Sequence, residues 1–220
     1  MLGGNKMKKF REPVSGFTHL FGALASFVGL ILLIWKQITV PRYSPLGLFS
    51  VIVFGLSLIF LYTASTVYHL VSSREKVMLF LRKLDHSMIF VLIAGTYTPV
   101  CLIALEGAWR WGLFSLIWTF AILGIVLKLT WFECPRWLYT FFYIAMGWLA
   151  IFAISPLSKV LPKNALFLLI GGGVVYTLGG IIYAFKWPKL NLKHWGFHEI
   201  FHLFVLGGSF LHYMLIMRYL

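Results

Sequence analysis

Long apolar stretches alternate with short polar segments along the whole chain. A helix of about 20 apolar residues is long enough to cross the hydrocarbon core of a bilayer. Turn-forming and helix-breaking residues, among them Gly107, Pro156 and Pro188, lie between the stretches. The pattern therefore predicts seven membrane-spanning helices, of which the fourth and fifth are short. They cover Ser15–Ile34, Gly47–Leu70, Asp85–Leu105, Trp111–Leu127, Leu138–Ile154, Ala165–Phe185 and Phe197–Met217.

The composition agrees with a lipid environment. Hydrophobic residues make up 60% of the 220 residues and charged residues only 11%, whereas a soluble domain is about half apolar and a quarter charged. The net charge of +13 would suggest a nucleic-acid partner in a soluble protein. Here the basic residues lie between apolar stretches, so membrane orientation explains them and no nucleic-acid partner is expected. We predict an all-α integral membrane protein, multi-pass in the cytoplasmic (inner) membrane.

The distribution of Lys and Arg predicts an orientation. Thirteen of the 19 lie in the N-terminal segment and in the second, fourth and sixth connections. The positive-inside rule then places the N-terminus in the cytoplasm and the C-terminus outside. Residues 1–220 form one seven-helix domain in this interpretation, with residues 1–13 as a basic cytoplasmic segment. Cys101 and Cys134 fall near opposite faces, too far apart for a disulfide bond.

The second connection contains a possible short helix of its own. In "SSREKVMLFLRKLD", Ser72 is followed three residues later by Glu75, which is the pattern of a capping box. Apolar and basic residues follow, so a helix lying on the cytoplasmic membrane surface is one interpretation. A solvated basic loop is the other.

Glycines cluster in the sixth predicted span, at Gly171–Gly173 and Gly179–Gly180. Small residues permit helices to pack closely within a membrane. The pattern suits packing within one chain or between two copies, so it leaves the oligomeric state open.

Ionisable residues within membrane spans are costly and are usually functional. Ser65 and His69 lie in the last turns of the second span, and Asp85 begins the third. His198 and His202 lie in the first turns of the seventh. The alternating direction of the spans brings all five side chains to one depth, near the cytoplasmic face.

The spacing of these residues adds chemistry. Residues four apart on a helix share a face and are separated by about 6 Å along the axis, so His198 and His202 can bind one ion, and Ser65 shares a face with His69. Three neutral imidazoles can hold zinc at a site with an open position. Asp85 could bind the metal directly, orient a histidine or hold a metal-bound water. A polar helix contact or a proton relay is the alternative for the same cluster.

The other histidines carry simpler interpretations. His19 and His212 are expected to pack or to form a single satisfied hydrogen bond. His194 precedes the last span by about one turn and could add a fourth ligand, although its lysine-rich surroundings favour a surface role. His86 points about 100° away from the neighbouring aspartate.

The segment "HEIFH" at 198–202 fits the H-E-x-x-H pattern of zinc metalloproteases, in which Glu199 would be the general base. Five letters are weak support in a chain with seven histidines. An intramembrane metalloprotease therefore stays as an alternative, and it requires Glu199 to face the metal.

Three segments, "STVYH" at 65–69, "LDHS" at 84–87 and "HEIFH" at 198–202, occur in this order on the second, third and seventh spans. Together with "REPVSGFTHLFGALAS" near the start and "GTYTP" at 95–99, they resemble the hemolysin III family. This family is the bacterial branch of the progestin and adiponectin-receptor (PAQR) family. The resemblance covers nearly the whole chain, and the three-part motif is specific although each part alone is not.

The resemblance implies a seven-helix bundle with the N-terminus inside. It implies zinc held by His69, His198 and His202, with Asp85 contacting the metal mainly through water. Ser65 would lie beside that water as a hydrogen-bond donor to a developing oxyanion. The family belongs to a wider superfamily that includes alkaline ceramidases. Imidazole and carboxylate also suit iron or nickel, so the choice of zinc rests on the resemblance.

We therefore expect a zinc-dependent hydrolase of a lipid amide or ester, with Asp85 taking a proton and Ser65 stabilising the oxyanion. A membrane lipid is the expected partner, as substrate or ligand, and Pro99 would help to open an apolar cavity for its acyl chain. One alternative is a non-enzymatic, receptor-like lipid sensor with a structural zinc. Another is a pore-forming cytolysin, which seven spans disfavour because a secreted toxin needs a soluble form.

Overall fold

The computed structural model describes residues 10–40, 43–131, 133–190 and 195–220. Within these ranges the chain is built from α-helices joined by short connections. The helices are α1 (Pro13–Thr39), α2 (Pro45–Leu70), α3 (Glu75–Pro99), α4 (Gly107–Thr130), α5 (Arg136–Gly147), α6 (Ile154–Val160), α7 (Lys163–Phe185) and α8 (Phe197–Tyr219). A 3₁₀ segment, Trp148–Ala153, joins α5 to α6 into one span. Among the described residues, seven spans are long and apolar enough to cross a membrane, which confirms the predicted all-α fold.

The second connection is shorter than either of its two interpretations, the surface helix or the solvated basic loop, requires. α3 begins at Glu75 with Arg74 at the N-cap position, without a side-chain capping bond, and continues through Asp85. Ser72 is therefore not a helix cap. No glycine or proline lies between Glu75 and Asp85, and the intervening Lys, Met, Leu and Arg residues favour helix. The segment considered for a surface helix is thus the first part of the third span.

The third span changes its hydrogen-bond pattern near its end. Pro99 is the last residue of α3, and a π segment, Val100–Ala104, follows directly. Proline has no N–H to donate, and single π turns accommodate such local interruptions of the ladder. The connection to α4 then ends at Gly107, whose φ of 54° is readily adopted only by glycine.

The fifth span is irregular at its middle. It was predicted to end before Pro156, but it continues through this residue to Val160. Pro156 lies in the first turn of α6, where a missing N–H costs little. The 3₁₀ segment before it needs other partners for its backbone. Tyr97 of α3 supplies them, because its hydroxyl donates to the Gly147 carbonyl at 2.6 Å and accepts from the Ala150 N–H at 2.7 Å.

On α1, mostly small side chains face inward and large apolar ones face outward, as expected for a helix in lipid. The buried face of α1 includes Ser15, Gly16, Gly22, Ser26 and Gly29. Its outer face carries Phe21, Leu24, Phe27, Ile31 and Trp35. A Cβ atom at Gly22 would lie 2.9 Å from the ring of Tyr62, so only glycine allows this approach of α1 to α2.

The bundle closes around the third span, which is the most buried of the seven. α1 packs against α2 and α8, α2 against α3, α3 against α4 and α5, and α7 against α5 and α8. The glycines of the sixth span serve this packing within one chain, since Gly172 lies against His212 and Gly179 against Phe204, both on α8. Cys101 and Cys134 are buried and free, as expected.

Candidate metal centre

Three helices bring polar side chains to one end of the bundle. Ser65 and His69 occupy the last two turns of α2, and Asp85 lies in α3 after its first turns. His198 and His202 occupy the first two turns of α8. His69 and His202 are 1% and 2% exposed, so these imidazoles are almost completely enclosed by the protein.

The imidazoles of His69, His198 and His202 converge. Their ligand atoms all lie within 4.8 Å of one another, and the Nε2 atoms of His69 and His198 are 3.2 Å apart. Two nitrogens that share a tetrahedral zinc ion at about 2.0–2.1 Å are roughly 3.3 Å apart. The spacing of this pair therefore fits a shared metal ion. Among the described residues, the Asp85 carboxylate does not belong to the group of mutually close ligand atoms.

The second nitrogen of two of these rings is held by an oxygen acceptor. His69 Nδ1 lies 2.5 Å from Glu12 Oε2, and His202 Nδ1 lies 3.2 Å from the Ser15 carbonyl oxygen. A carbonyl oxygen only accepts hydrogen bonds, so His202 donates from Nδ1–H and its Nε2 keeps a lone pair. A carboxylate imposes the same tautomer on His69. Outer contacts of this kind are typical of metal-binding histidines.

Glu12 is fixed by the backbone at the start of α1. Its N–H donates to the His69 carbonyl oxygen at 2.9 Å, and the neighbouring Arg11 guanidinium lies 4.3 Å from the centre of the Tyr68 ring. The hydrogen bond with His69 lowers the pKa of the Glu12 carboxyl below its usual value, against the opposing effect of partial burial. The carboxylate is therefore ionised at neutral pH and accepts a hydrogen bond from His69 Nδ1–H.

A cavity of about 130 Å³ opens beside the histidines. Its wall is largely apolar and aromatic, with contributions from Ile89, Tyr143 and Phe201 among others. Its polar lining includes Ser65, Asp85, His198, His202 and His19 at the histidine end, and Thr96, Thr177 and His212 also line it. The Ser65 hydroxyl lies near the Asp85 carboxyl. The five predicted residues thus form one assembly, with the cavity against it.

His19 does more than the simple packing that was predicted for it. Its ring stacks on that of His202, with centroids 3.6 Å apart and planes within 9°. Both of its ring nitrogens are buried without a hydrogen-bond partner, and the side chain lines the cavity. His212 matches its prediction better, because its Nε2 is 3.1 Å from the Leu169 carbonyl oxygen. His194 lies outside the described residues.

Glu199 uses both carboxylate oxygens for structural contacts. Oε1 accepts from the Ser15 hydroxyl at 2.7 Å, and Oε2 accepts from the Gly196 N–H at 2.8 Å, which caps the start of α8. Glu199 is not among the residues that line the cavity. These contacts disagree with the metalloprotease alternative, because that mechanism needs this carboxylate to face the metal.

Sequence reasoning missed the contribution of α1. Glu12 and Ser15 hold two of the three histidines and His19 completes the cavity, but none of them was predicted to join the site. All three lie in the segment "REPVSGFTHLFGALAS", which supported only a resemblance. Their spacing of three and four residues is that of one helix face. This spacing was the signal in the sequence that could have indicated a shared role.

Comparisons with known proteins agree with the membrane fold. Residues 7–213 match the family described as haemolysin-III related. The chain is 41% identical to hemolysin-3 of Bacillus cereus, covering 94% of this chain and 91% of that protein. It is 39% identical to the hemolysin-3 homolog of Bacillus subtilis (strain 168), over 90% and 89% of the two chains. The human monocyte to macrophage differentiation factor is 27% identical, over 99% and 88%.

Proposed function

Because the chain belongs to the haemolysin-III related family, we propose that it is a zinc-binding membrane hydrolase that cleaves an amide or ester bond of a lipid. The observation that carries the proposal is the convergence of His69, His198 and His202 beside a largely apolar cavity. A purely structural zinc is enclosed by four protein ligands, whereas a catalytic zinc keeps one position open. Three close ligands, of which His198 and His202 line a cavity, resemble the catalytic arrangement.

The three imidazoles would hold the metal through the nitrogens that face one another. Glu12 and the Ser15 carbonyl keep the Nδ1 proton in place on His69 and His202, so both rings present a lone pair at Nε2. A zinc ion bound there lowers the pKa of water and polarises a carbonyl oxygen. The neutral imidazole ligands, each of two held by an oxygen acceptor at its second nitrogen, support zinc over a hard cation such as Mg²⁺.

Asp85 and Ser65 would supply the proton transfer. The Asp85 carboxylate accepts a proton from the attacking water as its oxygen bonds to the lipid carbonyl carbon. It then returns that proton to the leaving nitrogen or oxygen as the C–N or C–O bond breaks. Ser65 donates a hydrogen bond to the oxygen that gains negative charge. The products are a fatty acid and an amine or alcohol.

The cavity suits an acyl chain better than a polar substrate. Most of its wall is hydrocarbon or aromatic ring, and Ser65, Asp85, His198 and His202 line the part that adjoins the proposed metal. An ester or amide next to Asp85 would leave the attached chain in the apolar part. We place this end at the cytoplasmic face of the cytoplasmic membrane, because the connections at that end carry most of the Lys and Arg residues.

Elemental analysis tests the metal centre. The purified full chain is expected to carry about one zinc ion after extensive dialysis, and His202→Ala to lose most of it. His212→Gln is the matched control, since His212 is a buried histidine on the same helix but outside the ligand group. A wild-type chain without stoichiometric metal, or full metal in His202→Ala, would refute the proposal.

Lipid analysis tests turnover. Wild type incubated with a membrane lipid extract is expected to release fatty acid, and Asp85→Asn to reduce the rate by about 10²–10⁴-fold while keeping the metal. Lipid profiles of cells that produce each variant provide a second measurement. If Asp85→Asn retains zinc and leaves every lipid unchanged relative to wild type, the protein is a non-enzymatic lipid sensor with a structural metal.

A further inference from the structure

The cavity beside the proposed metal centre has a second polar region that the proposed reaction does not use. His212 follows His202 by ten residues on α8, so it lies about 15 Å farther along the helix axis. Both side chains line the same cavity, which therefore extends along α8 from the metal ligands to His212. We call the part of the cavity that is lined by Thr96, Tyr176, Thr177 and His212 the far end.

The imidazole of His212 is fixed in one orientation and one tautomer. Its Nε2 lies 3.1 Å from the Leu169 carbonyl oxygen, which only accepts hydrogen bonds, so Nε2 carries the proton. A Cβ atom at Gly172 would collide with the Nε2–Cδ2 edge of the ring, so the glycine on α7 makes room for it. A second proton on Nδ1 would place a charge inside a membrane span, which is costly, and no carboxylate of the described residues lies within 4 Å. Nδ1 therefore carries a lone pair.

This lone pair has no donor in the part of the chain that the structure describes. Nδ1 is buried and forms no hydrogen bond there, and His212 as a whole is only 8% exposed. Nδ1 is also the ring atom opposite the Nε2–Cδ2 edge, so it is directed away from Gly172 and the α7 backbone. A buried acceptor without a donor is costly to the protein. The far end thus calls for a hydrogen-bond donor from outside the chain.

The other polar groups of the far end already have partners within the chain. Thr96 and Thr177 each donate to the carbonyl oxygen four residues before them, at 2.8 and 2.7 Å. The Tyr176 hydroxyl pairs with that of Ser209 at 2.7 Å. Their hydroxyl groups are therefore not directed at His212 Nδ1, and the far end favours a ligand that brings a donor of its own.

We propose that the far end binds a hydroxyl group on the acyl chain of the lipid, with His212 Nδ1 accepting its hydrogen bond. An extended chain advances roughly 1.2 Å per bond, so a distance of 15 Å corresponds to about 12 bonds. When the acyl carbonyl lies beside Asp85, a hydroxyl near the middle of a long chain reaches His212. The substrate class is then an amide or ester of such a hydroxylated fatty acid. This assignment rests on the proposed hydrolase function.

The chemistry of the acceptor gives the site its selectivity. A methylene group at this position leaves Nδ1 unpaired, and a keto or ether oxygen there brings a second acceptor and no proton. A site that hydrogen-bonds a hydroxyl of its ligand discriminates against analogues that lack it, because its own buried polar group is then left without a partner. A hydroxyl close to the carbonyl would lie at the metal end and would not reach His212.

Binding of free fatty acids to the metal-loaded full chain in detergent tests the site without requiring hydrolysis. The probes are stearic acid, 12-hydroxystearic acid and 2-hydroxystearic acid, and each affinity is expressed relative to that of stearic acid for the same variant. Partitioning into detergent is common to all variants, so it cancels when these ratios are compared. His212→Phe is expected to lower the ratio for the 12-hydroxy acid by about 3–10-fold and to leave the ratio for the 2-hydroxy acid unchanged.

His19→Phe is the matched control, because it makes the same substitution at a buried histidine that lines the metal end of the cavity. It is expected to keep the wild-type ratio for the 12-hydroxy acid. His212→Leu provides an independent variant if His212→Phe does not fold. In wild type, the 12-hydroxy acid is also expected to bind more tightly than the 2-hydroxy acid, and this comparison needs no variant.

Three results would overturn the hydroxyl site. They are equal binding of the two hydroxy acids by wild type, an unchanged ratio in His212→Phe, or an equal fall in His19→Phe. An unchanged ratio would indicate that a water molecule, and not the ligand, pairs with Nδ1. Turnover is scored separately. A His212-dependent preference without any lipid hydrolysis would refute the hydrolase and keep the site, whereas hydrolysis with no such preference would refute the site and keep the hydrolase.

Discussion

Glu12 offers a direct test of how the centre is held together. Replacing it with alanine removes the acceptor for His69 Nδ1–H, and replacing it with glutamine keeps an acceptor but removes the charge. Without the carboxylate, the His69 ring is free to rotate or to change tautomer. Both changes weaken its Nε2 as a ligand. We therefore expect Glu12→Ala to lower zinc affinity more than Glu12→Gln.

The magnitude follows from the position of the pair. Removing an outer hydrogen-bond partner of a metal-binding histidine typically costs about 10–100-fold in affinity, which corresponds to roughly 1.4–2.7 kcal/mol. The Glu12 side chain is 44% exposed, while that of His69 is 1% exposed. Water can partly replace the lost acceptor from the exposed side, so we expect about tenfold for glutamine and a larger loss for alanine.

Competition against a zinc-chelating dye measures this affinity on the purified chain in detergent. Glu75→Gln is the matched control, because Glu75 is an exposed glutamate in the first turn of α3. It removes the same charge from an adjacent connection without touching a histidine. Wild-type affinity in Glu12→Ala, or an equal loss in Glu75→Gln, would show that the outer contact does not organise the centre.

Three further predictions concern packing and the unpartnered polar groups. Gly22→Val places side-chain atoms where α1 meets Tyr62 and is expected to destabilise the bundle by about 1–3 kcal/mol in detergent unfolding, whereas Gly112→Ala, which meets open space, should have little effect. Tyr62→Phe removes the 2.7 Å hydrogen bond to Ser209 and should lower the free energy of unfolding by about 0.6–1.7 kcal/mol in the same assay. An unchanged free energy of unfolding would show that this bond does not stabilise the bundle. His19→Phe removes two unbonded nitrogens, so the unfolding temperature is expected to hold or rise with metal content unchanged; a marked fall would indicate a hidden partner.

The span number and the main cluster could be predicted because both depend on simple periodic patterns. A run of apolar residues is a sufficient signal for a membrane helix. Direction alternates from one span to the next, so the depth of His69 and His202 follows from counting. Residues four apart on a helix necessarily share a face, which fixed the His198 and His202 pair.

The contribution of α1 and the path of α3 depended on contacts that no pattern records. Glu12 joins the site because its backbone pairs with the end of α2, a meeting of residues far apart in the chain. α3 starts at Glu75 because helix propensity continues where a boundary was expected at Asp85. Pro156 was a poor indicator of the end of the fifth span, because proline is found in the first turn of a helix as well as between helices.

The 2.7 Å hydrogen bond between Ser15 and Glu199 has a consequence for how the protein is made. The two residues are separated by 184 positions, and translation at about 5–20 residues per second takes roughly 10–40 s to cover them. During that interval the first helix lies in the bilayer while the Ser15 hydroxyl and the His19 ring lack their partners on α8. The first helix therefore completes its packing only at the end of synthesis. A chain released before α8 is made leaves the face of α1 that carries Ser15 and His19 exposed to lipid.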